Sequence, residues 1–287
     1  MDEDAPAVDR RVAGADATGL RDRLLEVAAQ TCALVAPRVC PCGREGAWLC
    51  RRCLALLHGT PQRVESVCDA LLELSAARLR EERSAGEVLP VGVDHTPLLP
   101  VLALGEYGGD LQRLVLAWKN GGMLHLCGPI ARALAPAVGL LGPAQDASAT
   151  AGGEPDRELP HLVPVPSRRA ARLRRGEDHT AELVRALQRE GAGHALLLPA
   201  APTTAQEGRG ARARRLRRIR LQGRAVRDAG RRRLRVVIVD DVVTTGSTLR
   251  GMHEALTAQG IEVLGAVVVA SARLPRDPSA TTGVNSR

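Results

Sequence analysis

A chain of 287 residues that is 45% hydrophobic can bury the core of one ordinary domain and carry a small accessory one. It contains no Phe, one Tyr and two Trp, which excludes an aromatic core and favours one built from aliphatic side chains. The net charge is +8, and nearly all of the basic residues are Arg. Arginine suits the recognition of phosphate groups, but the same bias can equally reflect genome base composition.

The sequence predicts neither membrane insertion nor export. No run of 18 consecutive apolar residues is present, which argues against a transmembrane helix. The acidic start, MDEDAPAVDR, lacks the basic and apolar regions of a signal peptide. We therefore expect a cytoplasmic protein, in which the seven cysteines are metal ligands or buried thiols rather than disulfides.

Residues 18–83 predict a small helical region built around a metal site, after a polar segment, 1–17, that is expected to be disordered. Helices are expected over 18–35 and over much of 54–83. Between them stand two close cysteine pairs. The four cysteines are Cys40, Cys42, Cys50 and Cys53. This spacing predicts a zinc knuckle over 40–53 that holds a structural Zn²⁺, although the first pair is one residue shorter than the usual C-x₂-C. The alternative is a knuckle that has lost its metal.

The main domain is predicted to extend from residue 98 to residue 273, beginning with a strand over 100–104. A turn then enters a helix that places Leu111, Leu114, Val115 and Trp118 on one face, with Asp110 as its N-cap. Lys119, near the end of this helix, is the only lysine of the chain. It either complements the helix dipole or contacts a phosphate, and the sequence leaves both interpretations open. A second helix is expected over 129–140, and the small, polar segment 141–160 predicts a flexible insertion.

The next strand, His161–Val165, opens into an Arg-rich loop. Arginine and glycine at the edge of a sheet are suited to gripping pyrophosphate, and Arg174, Arg175 and Gly176 are the candidates. The alternative is a solvated basic loop. A helix is expected over 180–189. Residues 199–233 then form a dense Arg run without aromatic residues, which is either a mobile basic flap over the ligand or a nucleic-acid surface.

The strongest functional signal is LRVVIVDDVVTTGSTL, residues 234–249. An apolar strand, Val236–Val239, is followed by two acids, a hydroxyl-rich turn, a helix over 249–259 and a strand over 261–270. Ligands of a parallel sheet bind beyond the carboxyl ends of its strands. We therefore expect Asp240 and Asp241 to leave the strand and point into that crevice. The tail, residues 274–287, is expected to be disordered.

The turn and the acids suit opposite ends of one ligand. The turn residues, which offer backbone N–H groups, hydroxyls and a helix N-terminus to a phosphate, are Thr244, Thr245, Gly246, Ser247 and Thr248. Gly246 lets the backbone approach the anion. Because two carboxylates repel phosphate, Asp240 and Asp241 are expected to hold a vicinal diol, a Mg²⁺ shell, or both. A ribose 5-phosphate has both groups, although other phosphorylated diols would fit, and a capped turn without ligand is the alternative.

The motif VVIVDDVVTTGST resembles the phosphoribosyl pyrophosphate motif of the type I phosphoribosyltransferases. The resemblance implies an α/β fold with a parallel sheet flanked by helices. It also implies that Asp240 and Asp241, the catalytic candidates, hold the ribose hydroxyls, and that the turn holds the 5-phosphate. The Cys₄ knuckle, the YGG helix ending in Trp-Lys, the VPVP strand and the RRG loop extend this to a resemblance to the competence protein F family, over about residues 34–272. That family's R-G-F-N-Q segment reads Arg175-Gly176-Glu177-Asp178-His179 here.

The resemblance leaves two functions open. The first is an enzyme that binds phosphoribosyl pyrophosphate, or a ribose 5-phosphate, with Mg²⁺ and transfers the phosphoribosyl group to an unknown acceptor. The second is a non-catalytic accessory of DNA uptake or utilisation, which binds DNA or a helicase partner through its basic flap and zinc knuckle. The intact VVIVDDVVTTGST motif favours the enzyme, whereas the altered R-G-E-D-H segment favours the accessory protein.

Overall fold

The structure is a computed structural model that describes residues 38–74, 95–142, 159–166, 178–200 and 219–275. The chain divides into two compact units, residues 1–50 and 51–287, each described by itself. Several predictions fall outside the described residues: the polar start, the helix over 18–35, most of the insertion, the centre of the basic flap and most of the tail. The same holds for the predicted pyrophosphate loop with Arg174, Arg175 and Gly176.

In the described part of the first unit, residues 38–50, the chain forms a small hairpin. Val39 and Glu45 pair as an antiparallel bridge. The turn between them is closed by hydrogen bonds from the Cys40 amide to the Arg44 carbonyl and from the Gly43 amide to the Cys40 carbonyl. Gly43, with φ of +91°, supplies the left-handed conformation that this turn needs.

The described part of the second unit contains six α-helices and eight β-strands. The helices are α1 (Arg51–Leu56), α2 (Gly109–Asn120), α3 (Cys127–Leu141), α4 (His179–Arg189), α5 (Arg224–Arg231) and α6 (Ser247–Thr257). The strands are β1 (Gln62–Arg63), β2 (Leu72–Leu74), β3 (His95–Pro97), β4 (Val101–Ala103), β5 (His161–Pro164), β6 (His194–Ala195), β7 (Arg235–Val243) and β8 (Glu262–Ser271).

Six strands form one sheet in the order β1–β4–β8–β7–β5–β6. Every pair is parallel except β1–β4, so the predicted parallel sheet is confirmed. Strand β7 lies between β8 and β5, where Val236–Val239 are fully buried, as is typical of a strand covered on both faces. Strands β2 and β3 form a separate antiparallel pair.

Helices cover both faces of this sheet. Side chains of α5 and α6 share one buried cluster with Val236 and Ile238 of β7. Neighbouring residues of a strand point to opposite faces, so Val237 and Val239 belong to the other face. That face is covered by α2, α3 and α4, which pack against β8, β5 and β7. The carboxyl end of β7 is therefore bordered by different helices on its two sides.

The prediction of helix over much of 54–83, interrupted around residues 59–61, is wrong for residues 62–74. Helix α1 ends at Leu56, and this stretch instead forms β1, two 3₁₀ turns and β2. The apolar spacing is real, because Val64 and Leu71 are fully buried. They are buried against the sheet, and the pairing of β1 with β4 outweighs helix propensity.

One segment, Leu124–Leu141, is long and apolar enough to cross a membrane when judged by length and composition alone. Seven side chains of α3, which makes up most of this segment, are buried. The helix also packs against α4 and β8. This is the burial of a core helix in a folded domain, and the segment is weak evidence for a membrane span.

Candidate phosphoribosyl-binding site

The two acids lie within β7 rather than beyond it. The strand continues to Val243, so the prediction that both carboxylates leave the strand is wrong. Asp240 and Asp241 stay in contact, because the Asp241 amide donates to Asp240 Oδ1 at 2.9 Å. The Asp241 side chain meets residues of α2 and α4. Asp240 is half-buried, whereas Asp241 is only 6% exposed.

Asp241 is bound by two side chains from different helices. Its Oδ2 atom contacts Lys119 Nζ at the end of α2 and lies 3.0 Å from His179 Nε2 at the start of α4. Its Oδ1 atom accepts a hydrogen bond of 2.7 Å from the Val242 amide. Lys119, for which the sequence left two interpretations open, is therefore the partner of one of the two acids that precede the hydroxyl turn.

The contacts around Asp241 close into a ring that fixes two helices to the strand. The His179 ring, in a residue 5% exposed, packs edge-on against Trp118 with a centroid distance of 4.8 Å. Trp118 is covalently adjacent to Lys119, and its Nε1 atom donates to Cys127 Sγ at 3.1 Å. The C-terminal end of α2 is thereby held to β7 and to α4.

The two acids have opposite pKa shifts. Burial and the neighbouring charge of Asp241 raise the pKa of Asp240 to about 8. Burial alone would also raise the pKa of Asp241, but the hydrogen bond from His179 and the charge of Lys119 outweigh it, and this pKa lies below its ordinary value. At neutral pH the pair therefore carries about one negative charge, which is located on Asp241.

The turn after β7 presents a helix N-terminus. Helix α6 starts at Ser247, and Gly246 before it provides no side-chain cap. The Ser247 amide lies 3.4 Å from Thr245 Oγ1, and the amides of Gly246 and Thr248 have no acceptor among the described residues. Thr244 and Thr245 are exposed. The turn can therefore offer N–H and O–H donors to an anion.

Gly246 has a structural role that the sequence did not indicate. Its φ is +78°, and a Cβ atom there would lie 2.6 Å from Leu71 Cγ and 3.2 Å from Cys68 Cβ. The adjacent Thr245 carbonyl accepts a hydrogen bond of 2.9 Å from the Ala70 amide. Arg250 of α6 also donates to the Ala70 carbonyl, at 3.1 Å. The turn therefore rests on the segment 68–71.

The four knuckle cysteines lie together, with their Sγ atoms all within 4.8 Å of one another. A tetrahedral Zn–S distance of about 2.3 Å requires Sγ atoms about 3.8 Å apart. The Sγ atoms of Cys42 and Cys50 are 3.7 Å apart, and the Cys50 amide lies 3.3 Å from Cys40 Sγ, as a thiolate acceptor would favour. The donor set fits a structural Zn²⁺, and the short first pair is accommodated by the hairpin turn.

We expect Cys42→Ser to lower the bound zinc from about one ion per chain to near zero, because a closed zinc site needs all four ligands. Mass spectrometry of metal content measures this directly. Cys127→Ser is the matched control, since it changes a buried cysteine outside the cluster and should retain zinc. Equal zinc content in the two variants would contradict the assignment.

The structure brings together some of the predicted site residues and adds one. The acids and the hydroxyl turn lie along one continuous stretch, whereas Arg174, Arg175 and Gly176 are outside the described residues. Sequence reasoning missed His179 as a partner of Asp241. The only signal was its position at the start of a helix, where Asp178 accepts hydrogen bonds from the amides of Thr180 and Ala181 as the N-cap.

Comparison with known proteins identifies the same stretch. A family model described as the phosphoribosyl transferase domain matches residues 227–285, which contain β7, the turn, α6 and β8. No curated protein matches the chain. Among solved structures, UMP synthase of Leishmania donovani is similar, with 17% identity, a TM-score of 0.30 and coverage of 76% of this chain. The chain spans 31% of that structure's length. The predicted α/β fold with a parallel sheet flanked by helices is confirmed, and the family match covers the stretch of that sheet that holds β7, the turn and α6.

Proposed function

We propose that this chain binds phosphoribosyl pyrophosphate, or a ribose 5-phosphate, at the carboxyl end of β7. The observation that carries the proposal is the turn over residues 244–248. It follows an acidic pair, opens a helix whose first amides are available to an anion, and lies inside the segment that matches the phosphoribosyl transferase domain. In this assignment the turn residues hold the 5-phosphate.

The ribose and the pyrophosphate are assigned to other residues. Asp240, half-buried and without an ion pair among the described residues, would hold the ribose diol, while Asp241 acts beside it. Arg174, Arg175 and Gly176 would grip the pyrophosphate from the loop after β5. The domain that carries this site would extend over 98–273, preceded by the smaller region, 18–83, with the zinc knuckle. We place the protein in the cytoplasm.

Magnesium fits this site. Mg²⁺ is usually bound by one or two carboxylates together with substrate phosphates, and Asp240 would supply such a carboxylate because a bound cation lowers the pKa of a neighbouring carboxyl. When bound, the ion would neutralise charge on the departing pyrophosphate. Asp241 is less suited to direct coordination, because its oxygens already accept from Lys119, His179 and the Val242 amide.

We further propose that the chain is a phosphoribosyltransferase. The bond between ribose C1 and the pyrophosphate oxygen breaks, its electron pair leaves with pyrophosphate, and C1 forms a bond to the acceptor's nucleophilic atom. The acceptor's proton passes to solvent. The transition state resembles an oxocarbenium ion, so positioning and charge stabilisation suffice and no nucleophilic side chain is needed.

Isothermal titration calorimetry with phosphoribosyl pyrophosphate and Mg²⁺ tests the binding. We expect Asp240→Asn to weaken affinity by about tenfold, or ~1.4 kcal/mol, because Mg²⁺ favours the ionised form of Asp240 and an amide cannot supply it. Asp228→Asn on α5 is the matched control, since it makes the same chemical change at a surface ion pair with Arg224 and should leave binding intact. Equal affinities in both variants, or no binding by the unmodified chain, would contradict the proposal. Release of pyrophosphate with a panel of nucleobases would then establish catalysis.

One observation favours the second candidate, a competence protein F that serves DNA uptake without catalysis. The described end of the basic flap carries several exposed arginines: Arg220, Arg224, Arg227, Arg231, Arg232 and Arg233. Such a surface suits a nucleic-acid backbone. DNA binding that weakens steeply with salt and is unchanged in Asp240→Asn, in a chain that releases no pyrophosphate, would select this candidate.

A further inference from the structure

We infer that Lys119 is a ligand-contact residue, whose ammonium group, anchored on Asp241, meets the pyrophosphate group of the bound ligand. The inference rests on the proposed function, because it concerns the same ligand. It adds a residue from α2, outside the ribose motif and outside the Arg-rich loop, to the binding site.

The first support comes from composition. The chain has 40 basic residues of the Lys and Arg types, and Lys119 is the only lysine. The compositional bias that favours arginine over lysine in the rest of the chain does not extend to this position. Charge alone would be supplied equally well by arginine, so position 119 has a requirement that a guanidinium group does not meet.

The geometry around Asp241 shows what that requirement is. A guanidinium fork pairs best with both oxygens of a carboxylate at once. Here Oδ1 accepts from the Val242 amide at 2.7 Å, and Oδ2 is shared with His179 Nε2 at 3.0 Å. A compact ammonium can contact Oδ2 alone, whereas a guanidinium fork that engaged both oxygens would have to displace one of these donors.

Lys119 is more exposed than Asp241 and His179, the two residues it is grouped with, and this exposure suggests that a ligand can also contact it. The side chains of Asp241 and His179 are 9% and 6% exposed, and that of Lys119 is 36% exposed. The lysine therefore extends from a buried carboxylate to the surface at the carboxyl end of β7, where ligands of a parallel sheet bind. An ammonium carries three N–H donors and can serve a carboxylate and a phosphate at the same time.

The arrangement of the two faces indicates which end of the ligand Lys119 meets. The hydroxyl turn packs through Gly246 on Cys68 and Leu71, which belong to the buried cluster that includes residues of α5 and α6. Lys119 approaches from α2, on the opposite face of β7. A ligand with its 5-phosphate on the turn would therefore present its other anionic end, the pyrophosphate, towards Lys119.

The competing explanation is that Lys119 only neutralises Asp241. The two explanations differ in a signal that can be observed selectively, because lysine labelled with ¹³C at its ε carbon would give a single resonance in this chain. We expect that resonance to shift on addition of phosphoribosyl pyrophosphate with Mg²⁺, and of pyrophosphate with Mg²⁺, and to remain unchanged with ribose 5-phosphate. Arg113→Lys on the exposed side of α2 adds a second resonance that should not move.

Variants give an independent measurement. We expect Lys119→Arg to keep the charge and the fold but to weaken pyrophosphate binding at least about tenfold, with the affinity for ribose 5-phosphate unchanged. Calorimetry and thermal unfolding of the same samples separate binding from stability. Lys119→Met should weaken pyrophosphate binding as well.

The outcomes distinguish this inference from the proposed function. Binding of phosphoribosyl pyrophosphate that leaves the Lys119 resonance unmoved, or that Lys119→Arg retains in full, overturns the lysine assignment alone. A resonance that shifts equally with ribose 5-phosphate overturns the assignment to the pyrophosphate end. Absence of any binding by the unmodified chain overturns the proposed function and this inference with it.

Discussion

Replacement of Asp241 by asparagine is expected to lower the free energy of unfolding at pH 7 by about 2–3 kcal/mol. The buried carboxylate accepts from Lys119 and His179, and an amide would leave the lysine without its counter-charge and turn a donor towards one of these groups. The loss is smaller than the roughly 3–5 kcal/mol of a fully buried pair because Lys119 is partly exposed to solvent. Urea unfolding followed by circular dichroism measures the change.

The pH dependence of this effect has a definite sign. The pKa of Asp241 is lower in the folded chain than its ordinary value, because His179 and Lys119 outweigh the effect of burial. A carboxyl with a lowered folded pKa contributes stability that is fully present above its unfolded pKa of about 3.9 and is lost as pH falls towards the folded value. The unmodified chain and Asp241→Asn should therefore converge in stability below about pH 4.

Asp240→Asn is the matched control and should act in the opposite direction. Burial and the charge of Asp241 raise the pKa of Asp240 to about 8. A carboxyl with a raised folded pKa lowers stability progressively as pH rises from about 4 to 8. The amide removes that effect, so Asp240→Asn should be at least as stable as the unmodified chain at pH 7. Equal losses of stability in the two variants would contradict the asymmetry between the acids.

The sequence predicted this region well where the signal was local. The apolar run Val236–Val239, the hydroxyl turn and the following helix are each determined by neighbouring residues, and all three are present, with the helix starting two residues earlier than predicted. The end of β7 was predicted too early. Acidic residues are unfavourable inside a buried strand unless they are paired, and the partners of Asp241 are distant in sequence. Nothing local could reveal them.

The departure from the competence protein F pattern has a structural explanation at two of its positions. Asp178 caps α4, and His179 binds Asp241. These two residues differ from the family pattern, and in this chain they stabilise the start of a helix and bind Asp241. The prediction that Asp110 is the N-cap of α2 is wrong. Gly108 takes that position, and Asp110 instead forms ion pairs with Arg52 and Arg113.

The second large effect is expected at Gly246, where replacement by alanine should lower the free energy of unfolding by about 2–4 kcal/mol. Its φ of +78° is a left-handed conformation, which costs an alanine about 1 kcal/mol. The added Cβ would also lie 2.6 Å from Leu71 Cγ. Leu71 and the neighbouring Cys68 are fully buried and have little room to move, so overpacking adds about 1–3 kcal/mol.

Gly260→Ala separates these two contributions. Its φ of +77° is nearly the same, but a Cβ atom there would meet nothing closer than the Gly230 carbonyl oxygen at 3.6 Å. We therefore expect Gly260→Ala to cost only about 1 kcal/mol, and the difference between the variants measures the packing of the turn on Leu71. Combining Gly246→Ala with Leu71→Ala should destabilise the chain by less than the sum of the two changes, because the smaller side chain makes room for the Cβ. Equal losses in the two glycine variants, or simple additivity with Leu71→Ala, would show that the turn does not depend on segment 68–71.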